Sequence, residues 1–406
     1  MISKVSMMFF GALLGGALIV VPTNNFSFIA NGDVFLNSVE EQQENVPHIE
    51  TPEAVKAVYM SACAASSQSF RDHFMELFAD TELNAVMIDV KDFSGTIAFA
   101  AKDKRLQQDD ATGCFVRDMK ELVKMFHDAG VYTIARITVF QDPYYAVRNP
   151  EIAVQKESDK SVWTDHKGLS FIDVGAKTYW DYIIQLGNES YAIGFDELNF
   201  DYVRYPSDGD MRDIYYPITE TAVQADPEYG KAKELEKFFA YLKEEIHEDA
   251  VTSADLFGMV TTNIDDLNIG QVMEYANPYF DYIAPMTYPS HYPSGFFGIT
   301  NPNERVYDVM KISLDEAVKR FVATSTLVPL EGVAAIASTT PALYPKEVDN
   351  IDKIRPWIQD FDYGGNYGPE EVRAQIQAVY DAGLTSWMLW DPSNQYTKAA
   401  LLSSEQ

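Results

Sequence analysis

Basic charge is what this sequence has least of. Against 61 Asp and Glu stand 31 Lys and Arg, giving a formal net charge of −30 over 406 residues. That balance excludes nucleic acid and anionic membrane as natural partners, because phosphate binding needs clustered Lys and Arg. A neutral or cationic sugar polymer fits the charge better, although acidity also serves solubility alone. Cysteine is scarce as well: Cys63 and Cys114 are the only two. An oxidising compartment permits a disulfide between them, and two separate buried thiols are an equal alternative. The six histidines (His48, His73, His127, His166, His247 and His291) show no pairing at ligand spacing, so no metal and no cofactor is expected. No G-x-G-x-x-G follows the first predicted strand and no phosphate-binding loop appears, which leaves nucleotide binding without a motif. A G-x-S-x-G elbow, the mark of one class of serine hydrolase, is also missing.

What is present is ordinary globular composition, 47% hydrophobic and 23% charged, with ample material for a large core. Residues 1–30 read as a signal peptide or an uncleaved N-terminal anchor: Lys4 supplies a positive start and residues 5–21 are nearly all apolar. Either way the rest of the chain is expected to be exported, whether extracellular, periplasmic or held at the cell envelope. Membrane contact is expected through this segment only. Residues 31–54 are polar, acidic and Pro-containing, which suits a flexible linker.

From residue 55 to 406, strand-like runs alternate with helix-like runs. Strands are predicted at 55–62, 85–90, 132–140, 193–200, 251–259, 282–286, 354–361 and 385–390. Helices are predicted at 67–79, 114–129, 177–191, 231–247, 267–275, 313–323 and 369–382. Eight strands in that alternation point to an α/β fold, a (β/α)8 TIM-type barrel, rather than a doubly wound sheet. Three long loops, 207–230, 289–308 and 326–353, fall on the expected C-terminal face, where long loops build sites. The third reads as an insertion with its own short strand at 332–336.

The run Gly194-Phe195-Asp196-Glu197-Leu198-Asn199-Phe200-Asp201 carries the most chemistry. At the strand period of two, Glu197, Asn199 and Asp201 share a face with Phe195. Three such groups on one side of a strand are costly to bury unpaired. In a barrel they point into the lumen and climb toward the mouth. Sorting the other strands in the same way adds Asp89, Lys91, Arg136, Asp255, Tyr288, Trp357, Gln359 and Trp390 to the lumen. Cleavage of a glycosidic bond needs this inventory: one carboxylic acid to protonate the leaving oxygen and one carboxylate as base or nucleophile. The aromatic residues can stack on sugar, amides can bond hydroxyls, and Arg136 and Lys91 can hold carboxylates ionised. Asp89 with Lys91, or Glu197 with Arg136, can equally be structural ion pairs.

These segments resemble a family of bacterial exported glycoside hydrolase domains. The likeness rests on Ile88-Asp89-Val90-Lys91-Asp92, Ile134-Ala135-Arg136, residues 195–206, Ser253-Ala254-Asp255-Leu256-Phe257-Gly258, Pro285-Met286-Thr287-Tyr288-Pro289, Arg355-Pro356-Trp357-Ile358-Gln359-Asp360-Phe361 and Trp387-Met388-Leu389-Trp390. It implies an α/β barrel with carbohydrate chemistry at its C-terminal mouth. The resulting expectation is an exported enzyme that cleaves a polysaccharide or oligosaccharide. Asp201 is cast as general acid and Asp255 as nucleophile or base, with Glu197 and Asp89 in reserve for either role. Lys91, Arg136, Asn199, Tyr288, Trp357, Gln359 and Trp390 are the expected substrate-binding residues. A barrel that binds polysaccharide without cleaving it is the competing expectation.

Overall fold

Eight parallel strands close on themselves: β1 (Lys56–Met60), β2 (Ala85–Lys91), β3 (Tyr132–Thr138), β4 (Glu197–Asp201), β5 (Val251–Phe257), β6 (Tyr282–Met286), β7 (Trp357–Gln359) and β8 (Trp387–Trp390). This is a computed structural model in which the described residues are 47–404, with the backbone of a short antiparallel pair, Ser27–Phe28 and Val34–Phe35. The rest of the segment expected to be a signal or anchor, and the linker through residue 46, lie outside the described residues. Neighbouring strands pair in chain order. Met286 of β6 stands opposite Trp357 of β7, and Trp387 of β8 opposite Lys56 of β1, so the barrel keeps no open edge. The expected (β/α)8 architecture is the one observed.

Between the strands run α1 (Gln68–Asp80), α2 (Met119–Asp128), α3 (Lys177–Ile193), α4 (Gly230–Glu245), α5 (Met273–Ala276), α6 (Val306–Val322) and α7 (Pro369–Asp381). The outer strand faces, such as Ile88 and Val90, Ala135 and Ile137, and Leu198 and Phe200, pack on helix residues including Phe74, Phe126, Ile183 and Leu186. Local chemistry sets the helix ends. The Asp118 side chain accepts the Glu121 N–H at 2.9 Å to cap α2. Gly194, at φ 127°, terminates α3 and turns the chain toward β4.

Three local expectations differ from what is found. Ile193 ends α3 instead of opening the fourth strand, which begins at Glu197. The helix expected over 267–275 shrinks to Met273–Ala276, because Leu267, Asn268 and Gly270 all hold positive φ, which a right-handed helix cannot include. In the 326–353 insertion, residues 332–336 form no strand; Gly332 sits at φ 70° in a turn, and the short pairing is Ser325–Thr326 with Tyr344–Pro345.

Residues 47–54, assigned above to the linker, instead pack beneath the barrel. The Ile49 N–H donates to Asp196 Oδ1 at 2.6 Å, Thr51 Oγ1 and the Tyr132 hydroxyl lie 3.0 Å apart, and His48 stacks on Tyr191 with ring centroids 4.2 Å apart. Just above them is a floor of buried charge. Arg355 Nη1 reaches both oxygens of Glu197 at 2.9 and 2.8 Å, while Ser253 Oγ and the Tyr132 hydroxyl donate to the same carboxylate at 2.6 and 3.2 Å.

Candidate active site

The C-terminal ends of β1 to β6 and β8 bring one cluster to the mouth: Tyr59, Asp89, Arg136, Asp201, Asp255, Tyr288 and Trp390. Register explains the grouping. Asp89 stands opposite Arg136, Arg136 opposite Asn199, Thr138 opposite Asp201, and Asn199 opposite Ser253, so the lumen-facing side chains of adjacent strands form successive tiers.

Arg136 organises the upper tier. Its Nη1 donates to Asp89 Oδ1 at 2.6 Å, and its Nε and Nη2 both donate to Asp201 Oδ2, the former at 3.1 Å. Its Nε lies 4.0 Å from Asp255 Oδ2. Trp390 and Tyr59, stacked with centroids 3.9 Å apart, stand 5.0 and 5.6 Å from its guanidinium carbon. Burial works against the Arg136 charge, but Asp201 and Asp89 outweigh it and push its pKa well up. Arg136 is thus a fixed cation.

The two carboxylates that share Arg136 Nε have unlike surroundings. Asp201 takes the guanidinium on Oδ2 and the Tyr202 N–H on Oδ1 at 2.6 Å, one charged donor and one backbone donor. Tyr202 holds φ at 53°, an uncommon value for a non-glycine residue, and this conformation accompanies the bond to Asp201. Asp255 receives only neutral donors, Trp357 Nε1 at 2.8 Å and Asn199 Nδ2 at 3.0 Å, both on Oδ1. Burial, then the neighbouring Asp201 charge, pushes the Asp255 pKa well up. With Oδ1 occupied by two donors, its proton belongs on Oδ2, the oxygen nearer Arg136. Of the two, Asp255 is the residue whose surroundings favour the protonated form, where the sequence reading cast Asp201 as the acid. Burial also raises the Asp89 pKa, offset in part by Arg136 and by the Tyr59 hydroxyl, which donates at 2.5 Å.

The other expected residues divide sharply. Trp390 is half-buried at the rim and free to meet a ligand, and Tyr288 stands above Asp255 with its hydroxyl pKa pushed well up by burial, Asp255 and Asp201. Trp357 is fully enclosed and serves Asp255 as a donor, so it offers no stacking face; its ring meets Trp390 edge-on at 5.5 Å. Gln359 is also enclosed, with Oε1 accepting from Ser290 N and Oγ at 3.2 and 2.9 Å and Nε2 donating to the Phe361 carbonyl. Asn199 Nδ2 is spent on Ser253 and Asp255, while its Oδ1 is buried without a partner among the described residues.

Glu197 is no reserve for catalysis, since it lies in the floor tied to Arg355. Lys91 is not in the lumen. A bulge between Asp89 and Lys91 sets Lys91 opposite the outward-facing Ile137, and its ammonium meets Asp142 Oδ2 at 3.0 Å and the Thr138 carbonyl at 2.6 Å. The buried ion pairs made by these residues are Asp89–Arg136, Asp201–Arg136, Glu197–Arg355 and Lys91–Asp142, not the pairs considered from the sequence. Sequence reasoning missed Tyr59 and Arg355. Tyr59 shares a strand face with Ala57 and was legible as a polar-tipped aromatic near a strand end. Arg355 precedes the observed seventh strand but lies within the expected run 354–361, on the face of Trp357 and Gln359, so period two could have found it.

Cys63 and Cys114 form a disulfide, joining the short helix Ala62–Ser66 after β1 to the segment before α2. Among the described residues no helix is long and apolar enough to cross a membrane, and no cluster of His, Cys, Asp and Glu is arranged to hold a metal.

A sequence profile described as "Putative glycosyl hydrolase domain" matches residues 57–396. No curated protein matches the chain. Among solved structures, the PgaB (BpsB) glycoside hydrolase domain from Bordetella bronchiseptica is similar at 14% identity, with 86% of this chain and 99% of that one covered and a TM-score of 0.57. Alpha-L-fucosidase isoenzyme 2 from Paenibacillus thiaminolyticus is similar at 13% identity, over 86% of this chain and 48% of that one, with a TM-score of 0.53. A hypothetical protein from Ruminiclostridium thermocellum ATCC 27405 shares 27% identity over 49% of this chain and 96% of its own, with a TM-score of 0.42. At these identities the first two likenesses concern the barrel itself.

Proposed function

The chain belongs to the family described as "Putative glycosyl hydrolase domain", and from that premise we propose that it is an exported glycoside hydrolase acting on a polysaccharide, with Asp255 as proton donor and Asp201 as the working carboxylate. The observation that carries this reading is the contrast between two adjacent acids, one held by a guanidinium and the other buried among neutral donors. Opposed environments of that kind separate an acid from a base in one site.

In the proposed reaction the proton on Asp255 Oδ2 passes to the glycosidic oxygen as the bond from that oxygen to the anomeric carbon breaks. Asp201 meets the positive charge that develops at this carbon, either bonding to it directly or drawing a proton from the water that attacks it. Water keeps one proton as the new hydroxyl, and the other restores Asp255, directly on the covalent path or from Asp201 through solvent on the other. Arg136 holds Asp201 in place through two N–H donors, and Trp390, half-buried at the rim, meets sugar by the part of its ring that Tyr59 and Arg136 leave exposed. Export is supported by the apolar N-terminal run and by the disulfide, which an oxidising compartment preserves.

A specific feature favours a second reading. Asp201 and Asp255 are only 4% and 1% exposed, so sugar reaches them only if the mouth opens. A barrel that binds polysaccharide at its rim without cleaving it would tolerate such closure. The test is to incubate the purified chain with defined polysaccharides and analyse the products. Asp201→Asn and Asp255→Asn should each lower kcat by about 10²–10⁴-fold with the fold intact. Near wild-type turnover in both variants would discard the pair. Binding with no product in the wild type would establish the non-catalytic reading instead.

A further inference from the structure

Beside Asp201 the mouth continues into a groove of about 370 Å³, lined by Phe93, Asp165, Lys167, Tyr202, Arg204 and Asp208 among others. Its volume falls within the range of small-molecule sites. Three aromatic residues line it: the buried Phe171, Tyr202, next to Asp201 in the chain, and Phe93, which is 53% exposed despite its size.

The charges in this groove are unequally used. Asp165 Oδ1 accepts the backbone N–H groups of Lys167 and Leu169, both at 2.8 Å, which shapes the loop. Asp208 Oδ1 lies 3.6 Å from His166 Nε2. Of the two cations, the Lys167 side chain has no hydrogen-bond partner among the described residues, and the Arg204 guanidinium lies over the Tyr202 ring, its carbon 5.0 Å from the centroid. Arg204 donates only through Nη1, to the Tyr205 carbonyl at 3.1 Å and Ser207 Oγ at 3.0 Å, leaving Nε and Nη2 without an acceptor among the described residues. Neither Arg204 nor Lys167 forms an ion pair among the described residues, in a chain with twice as many acids as bases. Burial pushes the Arg204 pKa down, and Tyr202, Asp201, Asp165 and Asp208 offset this only in part. A half-buried guanidinium with a free edge, beside an ammonium and two rings, suits a planar anion carried on an apolar-faced ring.

We infer that this groove is a subsite for an acidic sugar, a pyranose bearing a carboxylate, with the acid group on Arg204 and Lys167 and the ring against Tyr202 or Phe93. The inference rests on the glycoside reading and narrows its substrate to a polymer containing uronic-acid residues. The overall charge of −30 does not oppose this at close range, since at physiological salt its field is screened within about 8 Å.

The test is a comparison of matched ligands on the full chain at physiological ionic strength. Oligosaccharides of galacturonate, of alginate and of glucuronoxylan are titrated calorimetrically beside their carboxyl-reduced counterparts, which keep the backbone and lose the charge. At least one acidic ligand should bind about tenfold or more tightly than its reduced form, the size expected for a charge-assisted, bidentate contact. Arg204→Gln should erase that ratio, and Lys167→Gln, at an exposed position that the fold does not need, should reduce it several-fold. The inference is overturned if no acidic ligand binds better than its reduced form, or if the ratio survives both substitutions. A ratio that holds while Asp201→Asn and Asp255→Asn leave turnover unchanged would remove the catalytic assignment and keep the subsite.

Discussion

Glu197→Gln keeps the shape of the floor and removes one charge from it. Arg355 has no second acceptor to turn to: its Nε and Nη2 are buried without partners, and its only ionic contact is Glu197. Deleting one member of such a pair typically costs about 3–5 kcal/mol, because the other charge stays buried and uncompensated. The Tyr282 ring, 3.9 Å from the guanidinium carbon, returns a part of this, which places the expected loss near the lower end, about 3 kcal/mol. Adding Arg355→Met removes the stranded cation and should recover most of the loss. Urea unfolding followed by tryptophan fluorescence measures both variants, with the midpoint moving and the slope unchanged. A single variant within about 1 kcal/mol of wild type, or a double variant no better than the single, would refute the reasoning. The same variant separates floor from mouth: the folded fraction of Glu197→Gln should retain wild-type kcat.

Asp255→Asn should raise stability at neutral pH. The native state holds a proton on Asp255 that the unfolded chain releases above about pH 4, so this residue's contribution is intact at acid pH and is lost as pH rises toward its elevated native value. Melting temperatures at pH 4 and pH 7 check the sign, and a variant less stable than wild type at pH 7 would contradict it. Free-thiol titration of unfolded, unreduced protein should find no thiol, and Cys63→Ser with Cys114→Ser should cost about 4 kcal/mol for a loop of 51 residues. Trp390→Ala should weaken binding of any saccharide substrate with little change in kcat, whereas Trp357→Phe, which deletes a donor to Asp255, should alter the pH profile of kcat.

Period-two alternation in strands of three to seven residues was enough to reveal the barrel and to bring Asp89, Arg136, Asp201 and Asp255 to one end of it. The rule assigns a face, however, and depth along the lumen needs the register. Glu197 and Asp201 share a face four residues apart, yet one is floor and the other mouth. Competition for hydrogen bonds was equally hidden. Gln359 and Asn199 look like sugar-binding amides until the loop serine and the neighbouring strand claim them. Buried cations are chosen by three-dimensional proximity, so Arg355, distant in sequence, took the carboxylate that Arg136 was expected to hold.

The bulge in β2 decides the electrical character of the mouth. Had β2 continued in regular alternation, Lys91 would return to the lumen two residues above Asp89, adding an ammonium to a space that now has one guanidinium. A second cation there would stabilise the anionic form of Asp255 and draw off the proton the reaction is proposed to use. Instead the extra residue steers that charge to Asp142, outside the lumen. One position of slippage in a strand thus keeps an acid acidic.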